Sequence, residues 1–505
     1  MQQAAPNSAH LFVIFGVTGD LAERKLLPAF YHVTHREGCE GMSYLLGVGR
    51  RDWSDDEFRR RAKQTLTSSG LGPGELSSWC DEQVFFHGID DYRSQESFVE
   101  LRSRINQIEH DCALPQNRIY YLALPPEAFP AAVTALGENG LAHSAGYTRL
   151  VIEKPFGKDL ETARRLDQVI HRYFGEDQVY RIDHYLGKTT VQNMLVFRFA
   201  NGMFEPLWNR DRISRVELTV GEDLGVGTRG GYYDTAGALR DMVQNHILQL
   251  ISLVAMEPPT AFEAESIRSE KVKVVRSITA LRDEDVVLGQ YGAGEINGQP
   301  VTGYLEEPKV AAESQTETYA ALRLHVDTWR WHGIPFYVRT GKRLPRRTTK
   351  IAIVFREAPL PLFRAFQVRP PANVLVISIQ PDEGFDLFFE VKTPDRSFRL
   401  DTKRLTFRYQ DHFGRIPEAY ETLIADVVGG DQTLFVHTEE VEASWRLLTP
   451  LLQHKPPVSE YRAGSWGPDE IYTLLPDWVD YCLAEPTQAA QRGKTVPGRE
   501  NDRIT

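Results

Sequence analysis

The chain has 505 residues, 42% hydrophobic and 25% charged, the mixture of a soluble globular protein too long for one ordinary core. With 58 Lys and Arg against 69 Asp and Glu the formal net charge is −11, which argues against a general nucleic-acid binder but leaves room for a local basic pocket that takes a phosphorylated metabolite. The four cysteines, Cys39, Cys80, Cys112 and Cys482, lie far apart without metal-ligand spacing, so neither a disulfide framework nor a bound metal is expected and a reducing cytoplasm is the default. The opening MQQAAPNSAH has no leader pattern. The longest apolar stretch, Ile247 to Met256, contains Gln249 and Ser252 and is far short of the ~20 residues that span a bilayer, so no membrane partner is expected.

In chain order, LFVIF (11–15) reads as a buried strand, and a glycine turn follows it. The next stretch, LAERKLLPAFYHVTHRE (21–37), is helix-like: Leu21, Leu26, Leu27 and Phe30 make an imperfect apolar face with Pro28 among them. YLLGVG (44–49), VFFHGI (84–89), RIYYLAL (118–124) and RLVIE (149–153) read as further buried strands, the last two stopped by prolines. Helical stretches separate several of these runs, the pattern of a parallel sheet with helices on both faces.

After about residue 180 the pattern changes. ISRVELTV, KIAIVF, NVLVISI, FDLFFEV and SFRLDTKRLTFRY are strands with polar interruptions, the later ones in close succession, which predicts a large, mainly antiparallel sheet. Long helical stretches are expected over about 236–256 and 439–452. The expected organisation is an α/β domain over 1–180 and a larger β+α domain over 181–505, with a polar, mobile tail after about Glu485.

The turn after the first strand reads Gly16-Val-Thr18-Gly19-Asp20-Leu21-Ala22. Glycine there permits a tight turn, backbone can approach a pyrophosphate, and the following helix offers free N–H groups and a positive dipole end. The spacing is GxxGxxA, which also suits an ordinary strand–helix turn. The second strand ends on Arg50-Arg51, where an NAD-selective site usually carries Asp or Glu. An arginine there grips a 2′-phosphate and favours NADP; the other reading is two solvated surface arginines.

RIDHYLGK (181–188) gathers Arg, Asp, His, Tyr and Lys at a strand end, a set able to hold a phosphate and orient a base, or to form a structural polar turn. In EKPFGKD (153–159) Lys154 precedes a proline, which biases it to an extended conformation. His246 lies beside an apolar stripe of Val243, Ile247, Leu250 and Val254, where a histidine is also commonly a satisfied core residue. Asp241 is five residues earlier, about 140° around an ideal α-helix, so it is not the obvious partner of His246 on the same face; a carboxylate to orient the imidazole comes from elsewhere, and Asp183 is a candidate. RTGKRLPRR (339–347) is a basic run following a strand-like HGIPFYV, either a solvated face or a second set of phosphate contacts.

The segments GVTGDLAERKLLPAF, EKPFG, RIDHYLGK and GGYYDTAGALRDMVQNH, with PFYVRTGKRLPRR and YRAGSWGPDE, closely resemble the glucose-6-phosphate dehydrogenase family over nearly the whole chain and in that family's order. The turn reads GVTGDLA where GASGDLA is commoner, so Thr18 keeps the hydroxyl of the usual serine. The resemblance implies a Rossmann-like coenzyme domain and a β+α domain whose sheet is used for dimerisation, in a homodimer or homotetramer. It implies NADP as cofactor, held by Gly16, Thr18, Gly19, Asp20, Leu21, Arg50 and Lys154, and glucose 6-phosphate as substrate. His246 is implied as the general base, oriented by Asp183. His184, Tyr185 and Lys188 match the positions that bind mainly the phosphate, and Lys154 the lysine that contacts substrate and coenzyme. Glu222 and Asp241 match positions for sugar hydroxyls, and Lys342 and Arg347 basic residues that reach the substrate. Two other readings are a dehydrogenase of an unphosphorylated sugar, which does not need the RIDHYLGK cluster, and a non-catalytic NADP sensor, which does not need His246, Asp183 and Lys154 together.

Overall fold

The computed structural model describes residues 8–35, 42–71, 73–360, 362–363, 370–394, 398–476 and 478; the polar tail after Glu485 lies outside them. Six strands form the first sheet: β1 (His10–Phe15), β2 (Ser43–Gly49), β3 (Val84–Gly88), β4 (Arg118–Leu122), β5 (Thr148–Glu153) and β6 (Val179–Ile182). Their order is β3-β2-β1-β4-β5-β6 and every neighbouring pair is parallel. Every residue of β1 and β4 is buried. Strands covered on both faces read as unbroken apolar runs, which is why the first five were legible in the sequence. The sixth is shorter and ends on the Arg181-Ile182 of RIDHYLGK. The strand order reverses between β1 and β4, and in such sheets ligands bind beyond the carboxyl ends of the strands at that point.

The imperfect apolar face after the glycine turn has a backbone cause. Residues Ala22–Leu26 form a π-turn, in which Leu27 N–H bonds back to Ala22 O, before an α-helix over Leu27–Thr34. A π-turn shifts the face by part of a residue, and Pro28 then falls in the first turn of the α-helix, where its missing N–H costs little.

The chain divides into two compact units, 1–192 with 256–273 and 417–449, and 193–255 with 274–416 and 450–505, in place of one cut at residue 180. Apolar burial explains the discontinuity. In the first unit Leu423, Ile424 and Val427 of the helix Ala419–Gly429 join one buried cluster with Phe12 and Ile14 of β1. Arg149 of β5 donates to the carbonyls of Val427 and Val428 at 2.6 and 2.7 Å, answering acceptors at that helix's end. Lys271 and Glu440 of the same unit form a fully buried pair at 2.9 Å.

The second unit holds a nine-stranded sheet. Its strands are β7 (Ile213–Gly221), β8 (Val286–Gly292), β11 (Tyr319–His325), β12 (Pro335–Gly341), β13 (Thr348–Phe355), β14 (Val374–Gln380), β15 (Gly384–Lys392), β16 (Leu400–Arg408) and β17 (Val458–Arg462); β9 (Gly294–Ile296) and β10 (Gln299–Val301) make a separate hairpin. The order is β16-β15-β14-β13-β7-β12-β11-β8-β17. The sheet is mixed but mainly antiparallel, with β7–β12 and β8–β17 parallel.

The long helical stretch expected over 236–256 is not one α-helix. Gly237 (φ 68°, ψ 171°) breaks the chain, Leu239–Ile247 is a π-helix, and Leu248–Ala255 continues as an α-helix. The apolar stripe holds: Leu250 and Val254 face Val216, Leu218 and Ile351 of the sheet. Among the described residues no helix is long and apolar enough to cross a membrane.

Candidate active site

In the first unit the glycine turn lies at the carboxyl end of β1. Gly16 has φ +77°, and a Cβ on it would stand 2.4 Å from Ala123 O. No side chain fits there, so only glycine lets the turn pass this close to the end of β4. Gly16 N–H donates to Val48 O at 2.8 Å and Gly19 N–H to Gly16 O at 2.9 Å, which fixes the turn against β2. Thr18 lies against Gly49, its methyl 3.1 Å from where a Cβ at Gly49 would be. The turn and the exposed Arg50 therefore meet at the ends of neighbouring strands. Asp20 pairs with Arg24 one turn on at 2.7 Å, both exposed, and Leu21 packs on the core, leaving only its backbone for a ligand. A bare glycine cradle with an exposed arginine beside it fits a dinucleotide bearing an extra phosphate.

At the end of β5, Glu153 and Lys154 precede a cis Pro155. Glu153 Oε1 accepts from Tyr121 Oη at 2.5 Å and Tyr420 Oη at 3.1 Å. Burial pushes the Glu153 carboxyl up to about 7, against the pull of the two phenols and of Lys154, while Asp183 adds to the rise. That electrostatic coupling puts Lys154 and Asp183 in one neighbourhood.

At the end of β6, Asp183 is buried and its Oδ1 accepts from Tyr185 N–H at 3.0 Å. This bond tightens the turn that carries His184, Tyr185 and Lys188. Lys188 Nζ sits 4.3 Å from the centre of the buried Tyr185 ring, and His184 lies parallel to Tyr420 with ring centres 6.5 Å apart. The helix Thr189–Phe199 starts directly after Lys188, so its positive end adds to the field that would attract a phosphate.

In the second unit, Lys342 at the end of β12 hydrogen-bonds Glu222 at the end of β7, and its Nζ stands 4.9 Å from the centre of the Tyr233 ring. The parallel pairing of β7 with β12 brings those two strand ends together. Burial, with Asp241, Glu222 and Glu317 nearby, holds the Tyr233 phenol well above its usual range. Glu222, Lys342 and Asp241 therefore converge around Tyr233: two carboxylates and an ammonium suited to sugar hydroxyls. Arg347 does not join them; it is exposed and donates to Gln380 Oε1 at 3.5 Å.

His246 is buried on the π-helix. There the expected angle to Asp241 needs correction. In a π-helix the N–H of one residue meets the carbonyl five before it, as Leu248 N–H meets Val243 O, so residues five apart lie nearly above one another. Asp241 and His246 thus share a face instead of standing about 140° apart.

Sequence reasoning missed Glu153, Tyr121, Tyr233, Glu317 and Tyr420. Glu153 and Tyr233 lie inside motifs that were singled out, whereas Tyr420 is 267 residues from the Glu153 it bonds, and no local pattern announces it.

Comparisons with known proteins divide the chain once, close to where the first long segment of the first unit ends. Residues 13–193 match the profile "Glucose-6-phosphate dehydrogenase, NAD binding domain", and residues 195–479 match "Glucose-6-phosphate dehydrogenase, C-terminal domain". The chain is 46% identical to the glucose-6-phosphate 1-dehydrogenase of Aggregatibacter actinomycetemcomitans over 92% of this chain and 95% of that one. It is 43% identical to the Bacillus subtilis (strain 168) protein of the same name, over 92% and 96%. A solved glucose-6-phosphate dehydrogenase in complex with its substrate glucose 6-phosphate is similar with TM-score 0.87 and 34% identity, covering 94% of this chain and 99% of that one.

Proposed function

The chain belongs to the glucose-6-phosphate dehydrogenase family, and from that premise we propose that it oxidises D-glucose 6-phosphate to 6-phospho-D-glucono-1,5-lactone with NADP, the first step of the pentose phosphate pathway. The observation that carries the reading is the match to both family profiles along almost the whole chain. A solved relative with glucose 6-phosphate bound supports the substrate.

NADP, when bound, takes up the hydride that leaves the anomeric carbon. Gly16, Thr18, Gly19, Asp20, Leu21 and Arg50 would hold it, with Lys154 shared between coenzyme and substrate. His246 takes the proton of the anomeric hydroxyl as the hydride leaves, so the C–H and O–H bonds break while a carbonyl forms. Imidazole suits this work because it titrates near neutral pH. Asp183 holds the imidazole's orientation and stabilises its protonated form. His184, Tyr185 and Lys188 bind the sugar phosphate. Glu222 and Asp241 accept hydrogen bonds from the sugar hydroxyls. Lys342 supplies positive charge to the substrate; Arg347, exposed and bonded to Gln380, is left out of this set.

The test is to add glucose 6-phosphate to the protein with NADP and follow the absorbance of the reduced nicotinamide. Turnover of glucose as fast as of its phosphate would favour an unphosphorylated-sugar dehydrogenase. NADP binding without any reduction would favour a sensor. Coenzyme choice is separately testable: Arg50→Ala is expected to weaken NADP about tenfold, the lower range for a charge-assisted contact because Arg50 is exposed. Fluorescence titrations with each coenzyme measure this: NAD should be little affected, and equal losses for both would show that Arg50 does not read the 2′-phosphate.

We further propose a cytoplasmic homodimer or homotetramer. The open edge of the nine-stranded sheet supports this, since β16 leaves Lys403–Thr406 exposed and Leu405 59% accessible. Light scattering is expected to give an even multiple of the 57.4 kDa chain; a single-chain mass at micromolar concentration would overturn the assembly.

A further inference from the structure

The π-helix Leu239–Ile247 carries both Asp241 and His246, and their common face depends on its five-residue register. If this segment relaxed to an α-helix, the two side chains would diverge by about 140°. A π-helix is rare in isolation, so what holds its two ends matters. At the carboxyl end it runs directly into the α-helix Leu248–Ala255, whose apolar side is buried.

The amino end is held differently. Gly237 turns the chain with positive φ, and the N–H groups that follow would lack helical partners. Both are answered by one residue: Ala238 N–H donates to Glu317 O at 2.9 Å, and Leu239 N–H to Glu317 Oε1 at 3.3 Å. Glu317 is completely buried, and its Oε2 meets Lys455 Nζ at 2.5 Å. A Cβ on Gly237 would stand 2.3 Å from Glu317 Oε1, so only glycine admits this approach. The next residue, Thr318, accepts Lys342 N–H on its carbonyl at 3.0 Å. The dipeptide Glu317-Thr318 therefore ties the helix of Asp241 and His246 to the strand end of Lys342.

We propose that Glu317, with Lys455 as its counter-ion, is a positioning residue that anchors the π-helix Leu239–Ile247 and so sets Asp241 and His246 on one face toward the sugar. The inference rests on the proposed dehydrogenase reading for its kinetic consequence and on the helix geometry alone for the anchor. Glu317 touches no reacting atom. It acts by fixing two side chains that do, and a displacement near 1 Å from such a remote change can cost about a hundredfold in rate.

The experiment compares Glu317→Ala, which removes the side-chain acceptor of Leu239 N–H and leaves the backbone carbonyl that accepts Ala238 N–H, with Glu317→Gln, which keeps both acceptors and removes only the charge. Hydrogen–deuterium exchange over 239–247 is read first, because it needs no substrate. Glu317→Ala is expected to speed that exchange, to lower kcat roughly ten- to a hundredfold and to raise KM for glucose 6-phosphate. NADP affinity, a property of the first unit's glycine turn, should stay within about twofold. Glu317→Gln combined with Lys455→Met removes both charges and keeps the acceptor, and it should recover most of kcat. Unchanged exchange in Glu317→Ala overturns the anchor whether or not the sugar is turned over. Faster exchange with normal kcat overturns the positioning role. So does a fall in NADP affinity and thermal stability that parallels the kinetic loss, since that marks general unfolding; if Glu317→Ala does not fold, Glu317→Leu combined with Lys455→Met, which removes the acceptor without stranding a charge or opening a large void, carries the same comparison against the Gln variants. A native protein that fails to oxidise glucose 6-phosphate would instead sink the dehydrogenase reading.

Discussion

Replacing His246 by Asn is expected to lower kcat by about 10²–10⁴, the usual worth of general acid–base help, with substrate and NADP binding largely kept. The factor corresponds to about 2.7–5.4 kcal/mol of transition-state stabilisation. Proton removal from the anomeric hydroxyl happens only as the hydride leaves, so losing the base touches kcat and spares ground-state affinity. Asn is chosen because it is polar, leaves a smaller void than Ala and is similar to His in helix propensity. His246 is buried at 1% exposure, so Ala would add a cavity to the loss of the base and mix the two effects. Single-turnover kinetics with saturating NADP measure the chemical step directly. A near-normal rate in His246→Asn would place the base elsewhere and end the proposed mechanism.

The second large effect belongs to the phosphate grip. Lys188→Ala is expected to raise KM for glucose 6-phosphate by roughly tens- to a hundredfold, the worth of a charge-assisted contact, with a smaller change in kcat. The phosphate stays bound through the reaction, so its ligands act on substrate and transition state alike. The structure adds a reason for the size of the effect. Lys188 Nζ rests over the buried Tyr185 ring, and Asp183 ties down the turn between them, so the ammonium is held in place before substrate arrives. Steady-state assays with glucose 6-phosphate and with glucose separate this contact from general damage. KM for glucose, if it is turned over, should barely move. A parallel rise for both sugars would show that Lys188 does not bind phosphate.

Tyr420 shows where legibility in the sequence stopped. It belongs to a segment, 417–449, that follows β16 of the second unit in sequence yet completes the first unit, where its hydroxyl bonds Glu153 and its ring lies parallel to that of His184 with centres 6.5 Å apart. Strands such as β11 were also missed, because YAALRLH mixes strong helix formers with apolar residues and no short-range pattern decides between the two states. Arg347, assigned by motif position, turned out exposed and bonded to Gln380.

By itself the sequence determined the first five parallel strands, the glycine turn, the polar cluster ending β6 and the apolar stripe of the helix bearing His246. These are local: each run is shaped by whether its own side chains meet core or solvent, and that pattern is written in consecutive residues. Only the tertiary structure decided the discontinuous units, the order of the nine-stranded sheet, the meeting of Glu222 with Lys342 and the common face of Asp241 and His246. The last of these turns on a choice between hydrogen bonds four and five residues long. Local propensity barely separates them, and here a buried carboxylate 78 residues from the Leu239 N–H it accepts holds the end of the π-helix.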